Sequence, residues 1–189
     1  MKIFLKIVGT FLFISSLFAA TVKLDPAKSS VKWIGTKVTG KHEGTVGVKS
    51  GQLTLEKGVL KSGMITIDMK SIKVTDIKGE YAQKLAGHLN SNDFFAVDVK
   101  GNDVATFKTS SVNAKGKGKY EVKGTLMIKK KKAPASLMLS EKGGVYSGDL
   151  KFNRTKYDIR YGSGSFFSDL GDKMIHDEVT LSVKLAPKK

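Results

Sequence analysis

The chain has 189 residues, a formal net charge of +16 and no cysteine. That length suits one domain with a sizeable core, and the missing cysteines exclude a disulfide framework and attachment of a lipid to a thiol. The lysine surplus either favours anionic partners, such as lipid head groups or cell-envelope polymers, or simply coats strand exteriors so that edges do not pair.

The first 20 residues read as a secretory signal peptide. Lys2 and Lys6 give a charged start, and Ile7 to Phe18 is an apolar run broken only by Gly9, Thr10, Ser15 and Ser16. Ala19 and Ala20 supply a small-residue end, and the apolar run is too short to span a bilayer comfortably. Cleavage after Ala19 or Ala20 is expected to leave an exported, unlipidated, periplasmic protein with one domain over residues 21–189. Nucleic acid is not an expected partner there.

Strand signals dominate the remainder. Residues 33–44 run from the only Trp, Trp33, into a polar turn punctuated by Gly35, Gly40 and Gly44, with His42 inside it. Glycine at such places marks positive φ, a bulge or close backbone approach. Ile65, Ile67 and Met69 then alternate with Thr66, Asp68 and Lys70, the period of a half-buried strand. The rhythm breaks from Thr75 to Leu89, where Tyr81, Ala82, Leu85, Ala86 and Leu89 recur at helical spacing. Thr75 or Asp76 is the expected cap, and Gly79 and Gly87 predict a short helix that packs as a lid or plug. A polar turn, Asn90 to Asp93, leads to the paired rings of Phe94 and Phe95.

Beyond the helix the alternation resumes. Tyr120, Val122, Leu126 and Ile128 share one parity, then Leu150 and Phe152, then Tyr157, Ile159 and Tyr161, and finally Val179, Leu181, Val183 and Leu185. Glu56-Lys57-Gly58, Lys61-Ser62-Gly63, Lys115-Gly116-Lys117-Gly118 and Lys142-Gly143-Gly144 supply the turns. The four lysines 129–132 are expected at an exposed hairpin end, and Leu137, Met138 and Leu139 suit a strand buried on both faces or a wall between core and cavity. Many short strands with regular turns predict an all-β fold, a sandwich or a closed barrel.

Taken together, the pieces resemble the YceI-like family of exported lipid-binding proteins. The resemblance rests on Trp33-x-Gly35-x-Lys37-x-x-Gly40-x-His42-x-Gly44, on Gly63 to Ile72, on His88 to Val97, on Phe107, on Gly124 to Lys129, on Phe152 with Arg154, and on Asp177 to Leu181. It implies a single antiparallel, lipocalin-like barrel of about eight strands, with the short helix near its mouth and an apolar tunnel for an isoprenoid or another long-chain amphiphile. A barrel of about eight strands is the smallest that can hold a ligand, and each buried CH₂ contributes about 0.8 kcal/mol. Where the family tends to place a glycine after Ile128, this chain has Lys130 and Lys131, so a longer or differently shaped turn is expected there.

The tunnel lining is expected from Trp33, Ile67, Met69, Phe94, Phe95, Phe107, Met127, Phe152 and Tyr157, each also eligible for ordinary core. His42 and His88 sit at loop edges, where either can bond a ligand head group or its own turn. Lys37 and Arg154 are candidates for an anionic head group at the same opening. Arg154 has a rival role, an ion pair with Asp158 or Asp177. The three histidines lack metal-site spacing, and no nucleophile elbow or phosphate loop is visible, so neither metal, cofactor nor catalysis is expected beyond the bound lipid. Competing readings are a transmembrane β-barrel, a basic module on anionic envelope surfaces, and a lipid hydrolase or isomerase. Dimerisation is left open.

Overall fold

The computed structural model describes residues 19–188. Along the chain lie β1 (Ala19–Lys23), β2 (Ser30–Lys37), β3 (Gly40–Glu56), β4 (Val59–Val74), α1 (Gly79–Asn90), β5 (Val104–Ala114), β6 (Lys119–Ile128), β7 (Lys131–Lys142), β8 (Val145–Asn153) and β9 (Ile175–Leu185). The strands pair antiparallel in the order β1-β3-β2-β9-β8-β7-β6-β5-β4, and β3 also pairs with β4. That last pairing closes β2 to β9 into an eight-stranded barrel, which leaves no open edge in the ring. β1 stands outside the cycle. It occupies the edge of β3 at Gln52–Glu56, beyond Val46, the last residue of β3 that β2 reaches.

Period-2 alternation makes the wall. In β6, Tyr120, Val122, Leu126 and Ile128 are buried while Lys119, Lys123 and Thr125 are exposed. At about 3.3 Å per residue, a strand as long as β3 cannot stay straight around a small barrel. Register shifts between Thr45 and Gly47, Val48 and Ser50, and Thr54 and Leu55 bend it against β4.

The strand directions sort the connections by end. Residues 38–39, 75–103, 129–130 and 154–174 join strands at one end, and 24–29, 57–58, 115–118 and 143–144 at the other. The first end therefore carries α1 and every long connection, and it is the mouth. The opposite end is closed by tight turns and by a small junction in which Leu24 bridges Pro187 and Lys188 N–H donates to the Lys23 carbonyl at 2.8 Å. Two buried clusters follow, one under the mouth with Met69, Phe94 and Phe152, one at the closed end with Leu53, Tyr120 and Tyr146.

Three local expectations are refined. The helix starts at Gly79 rather than near Thr75, because the Asp76 carboxylate is engaged elsewhere and Lys78 stands at the cap without a side-chain bond. Lys129 and Lys130 form a two-residue hairpin loop with φ of 48° and 60°. The turn is tight, not long, and two lysines hold the left-handed conformation usually given to Asn-Gly. Leu137 and Leu139 face inward while Met138 is exposed, so β7 is an ordinary one-sided strand. The expected signal peptide lies outside the described residues up to position 18, and Ala19 and Ala20 pair with Glu56 and Leu55 as the start of β1.

Candidate functional site

Below the mouth the barrel encloses an apolar cavity of about 170 Å³. Its wall is the inward parity of the strands, with Trp33 from β2, Ile67 and Met69 from β4, Leu126 and Ile128 from β6, Phe152 from β8 and Leu181 from β9. Leu85 and Leu89 of α1, with Phe94 and Phe95 after it, form the roof. A second apolar cavity of about 70 Å³ lies deeper, against Leu53, Phe107 and Leu139. Val31, Ile67, Leu126 and Leu181 line both, so these four side chains form a waist between two stacked compartments.

Trp33 reaches its position because its partner on β3 is Gly44. A Cβ at Gly44 would lie 2.6 Å from Trp33 Cζ2 and would overlap the Lys73 carbonyl. The indole Nε1 is buried without a hydrogen-bond partner, a donor that costs about 1–3 kcal/mol when left unpaired.

Polar side chains gather at the rim. His42 Nδ1 lies 2.8 Å from Asp76 Oδ2, and Asp76 Oδ1 accepts the Glu43 N–H at 3.1 Å. Burial works against the Asp76 charge, but the bonds from His42 and the Glu43 amide outweigh it and hold this carboxyl below its ordinary range. The pair ties the segment after β4 to the start of β3. Across the mouth, His176 Nδ1 lies 2.8 Å from Thr36 Oγ1. Lys37 also lines the cavity, with no carboxylate within salt-bridge distance among the described residues.

Arg154 is occupied by the protein itself. Nε donates to the His176 carbonyl at 3.1 Å, Nη1 to those of Ile159 and Tyr161 at 3.0 and 2.9 Å, and Nη2 to that of Ile175 at 3.0 Å. Asp177 Oδ1 stands 3.5 Å from Nη2. With the guanidinium 2% exposed, burial lowers its pKa and Asp177 partly offsets that. Four of its five N–H groups donate to backbone carbonyls and Asp177 stands at ion-pair distance, so Arg154 clamps the 154–161 segment onto β9 and is held by the protein rather than presented to a head group. Of the two expected ion-pair partners, Asp177 is the one it faces. Asp158 instead pairs with Arg160 at 2.8 Å.

Of the sequence-derived candidates, Trp33, Lys37, His42, Ile67, Met69, Phe94, Phe95, Phe152 and Arg154 converge on the upper cavity, and Phe107 on the lower. Three do not. Met127 pairs with Thr106 and Lys132 on the outward parity, opposite to Leu126 and Ile128. Tyr157 is buried against Phe152, with ring centroids 5.6 Å apart, and belongs to the core behind the wall; burial pushes its phenol up to about 12. His88 meets Phe94 and Tyr161 edge-on at 5.2 and 4.4 Å, which staples α1 to the 154–174 connection outside the cavity.

Sequence reasoning missed Leu126, Ile128, Val179 and Leu181, although their alternation was visible, and it missed His176 and Thr36, which carry no local signal. Among the described residues no three His, Cys, Asp or Glu side chains come together as a metal site.

The profile of the YceI-like domain matches residues 22–186. The chain belongs to the YceI-like family. No curated protein matches it. Among solved structures, Burkholderia cenocepacia BcnA is 24% identical, with a TM-score of 0.67 over 86% of this chain and 98% of that one. A polyisoprenoid-binding domain from Saccharophagus degradans, implicated in plant cell wall breakdown, is 16% identical, with a TM-score of 0.56 over 89% and 97%. The Campylobacter jejuni YCEI protein is 18% identical, with a TM-score of 0.50 over 69% and 74%. At these identities the likeness concerns the fold.

Proposed function

We propose that this protein is an exported periplasmic carrier that holds one isoprenoid-like or other long-chain lipid, tail inward, in the stacked cavities. The observation that carries this reading is the partition inside the barrel. The wall is almost wholly apolar, while Thr36, Lys37, His42 and His176 lie together at the open end. Tail burial supplies affinity at about 0.8 kcal/mol per CH₂, and the rim groups select the head. With Arg154 committed, Lys37 is the cation left for an anionic head, and the Trp33 Nε1–H is matched by a ligand that carries an acceptor oxygen. The polyisoprenoid-binding relative supports the ligand class.

The barrel's outward parity carries lysines and its inward parity is apolar, the inverse of a transmembrane barrel. Binding rather than catalysis fits a site of this composition.

Organic extraction of protein purified without detergent, followed by mass spectrometry, tests the proposal. A stoichiometric isoprenoid or long-chain lipid is expected. Failure both to co-purify a lipid and to bind added polyprenol or quinone overturns it.

A further inference from the structure

The mouth differs from the rest of the surface. Six of the eight large hydrophobic side chains exposed among the described residues, Val38, Tyr81, Val99, Tyr161, Phe166 and Phe167, lie in connections or in α1 at this end. Met64 and Met138 are on the barrel wall.

The exposed rim is continuous with the interior. Tyr161, 47% exposed, packs on His88 and lies 5.9 Å from Phe94, which roofs the upper cavity. On the other side Tyr81, 76% exposed, shares an open recess with Ile77, Lys78, His42 and Leu85, and the last two also line the cavity.

Cations accompany the rings. The Arg160 guanidinium sits 4.8 Å over the Phe166 ring. Arg160 also shares a shallow recess with Asp93, Asp158, Tyr161 and Phe167. Lys129 Nζ donates to the Asp158 carbonyl at 3.0 Å, which brings the lysine hairpin to the same rim. Lys130, Lys131 and Lys132 are exposed, with no carboxylate within salt-bridge distance among the described residues.

Exposed rings at a rim that also carries lysines without carboxylate partners match the chemistry of a bilayer interface with anionic head groups. The continuity with the cavity specifies a bilayer rather than a protein. A lipid of ten or more buried carbons leaves a membrane into water very slowly, because each CH₂ adds to the barrier. A rim seated among head groups gives that tail a path that avoids water.

We infer that the mouth rim, centred on Tyr161, Phe166, Phe167 and Lys130–Lys132, docks on an anionic lipid bilayer and transfers lipid between it and the cavity. The inference rests on the carrier reading above. Docking is reversible and salt-sensitive, since removal of each rim lysine lowers the partition roughly fivefold.

The test is co-sedimentation of the purified protein with phosphatidylcholine vesicles, with and without phosphatidylglycerol, at low and high salt. It compares wild type, Phe166→Ser/Phe167→Ser, Lys130→Gln/Lys131→Gln/Lys132→Gln, and a wall control, Met138→Ser. Farnesol binding without vesicles, read by the fluorescence of Trp33, reports the cavity separately. Wild type and control are expected to partition onto anionic vesicles, and both rim variants to lose about tenfold or more while still binding farnesol. Equal partition of rim variants and wild type overturns the inference, as does indifference to phosphatidylglycerol or binding to neither vesicle, the result a protein partner would give. Absence of farnesol binding in a wild type from which no lipid can be extracted overturns the carrier reading alone, and the vesicle arm then judges docking by itself.

Discussion

Trp33 occupies the space that a side chain at Gly44 would need, and it does so across a paired position of β2 and β3. The aromatic wall at the mouth therefore depends on an absent methyl group on the neighbouring strand. Gly44→Ala sets a Cβ against both the indole and the Lys73 carbonyl, so the β3 and β4 backbones must part there and the ring must yield as well. We expect a loss of roughly 1–3 kcal/mol, a changed fluorescence spectrum of the single Trp, and weaker lipid binding. Equilibrium denaturation followed by Trp emission measures the first two. An unchanged spectrum would mean that the strands take up the whole displacement and the ring stays in place.

Arg154→Ala is expected to act on the fold rather than on head-group choice. It strips the donors from four carbonyls, those of Ile159, Tyr161, Ile175 and His176, and leaves Asp177 without its cation. A loss of about 3 kcal/mol or more is expected, with affinity reduced equally for a polyprenol and its phosphate. Lys37→Ala, by contrast, is expected to leave the melting temperature within a degree or two, as surface substitutions do, and to weaken the phosphate selectively. Calorimetric titration with the two ligands separates the cases.

The waist predicts selectivity for tail length. Ile67→Phe or Leu126→Phe thickens the constriction between the two compartments. Short isoprenoids confined to the upper cavity should bind as before, while longer ones lose affinity by about 0.8 kcal/mol for each CH₂ kept out of the lower one. A length series of isoprenoid alcohols checks this, and a uniform loss at all lengths would mean that the upper cavity itself had been filled.

Acid should loosen the mouth first. Asp76 and Asp177 both have carboxyls held below their ordinary range in the folded protein, the one by His42 and the Glu43 amide, the other by the Ser163 and Ser165 hydroxyls and Arg154, in each case against the opposing effect of burial. Groups depressed in this way stabilise fully above the unfolded aspartate pKa of about 4, and the contribution vanishes as pH falls through the lower folded values. Stability should therefore decline below about pH 4, and less steeply in Asp76→Asn. Denaturant midpoints at neutral and acid pH give the comparison.

The lysine hairpin offers a gain. Lys129→Asn with Lys130→Gly fits the two positive φ angles better, and each left-handed non-glycine residue costs about 1 kcal/mol. The double variant should raise the melting temperature by several degrees. It should leave lipid binding in solution unchanged, because neither side chain lines a cavity.

The barrel was legible because alternation survives in nearly every strand, from Ile65–Met69 to Val179–Leu185. Reading a residue's parity from its own strand placed Ile67, Met69 and Phe152 on the wall. Where parity was set aside in favour of residue type, as with Met127, the expectation failed: a flexible apolar side chain sits outside because Leu126 and Ile128 on either side of it are inside. Asp76 was misread as a helix cap since its partner, His42, is 34 positions away and no local spacing reveals it. For Arg154 the ion pair with Asp177 was among the expected alternatives, but the four carbonyls that hold it were not legible. Backbone carbonyls are its partners, and they leave no trace in side-chain identity.

The bridge between Leu24 and Pro187 has a practical side. Leu24 and Pro187 meet at the pole away from the opening. A tag, a surface linkage or a fused partner attached after Lys189 would thus orient every molecule the same way, opening outward, with no hindrance to what enters. The barrel lends itself to ordered immobilisation through that pole.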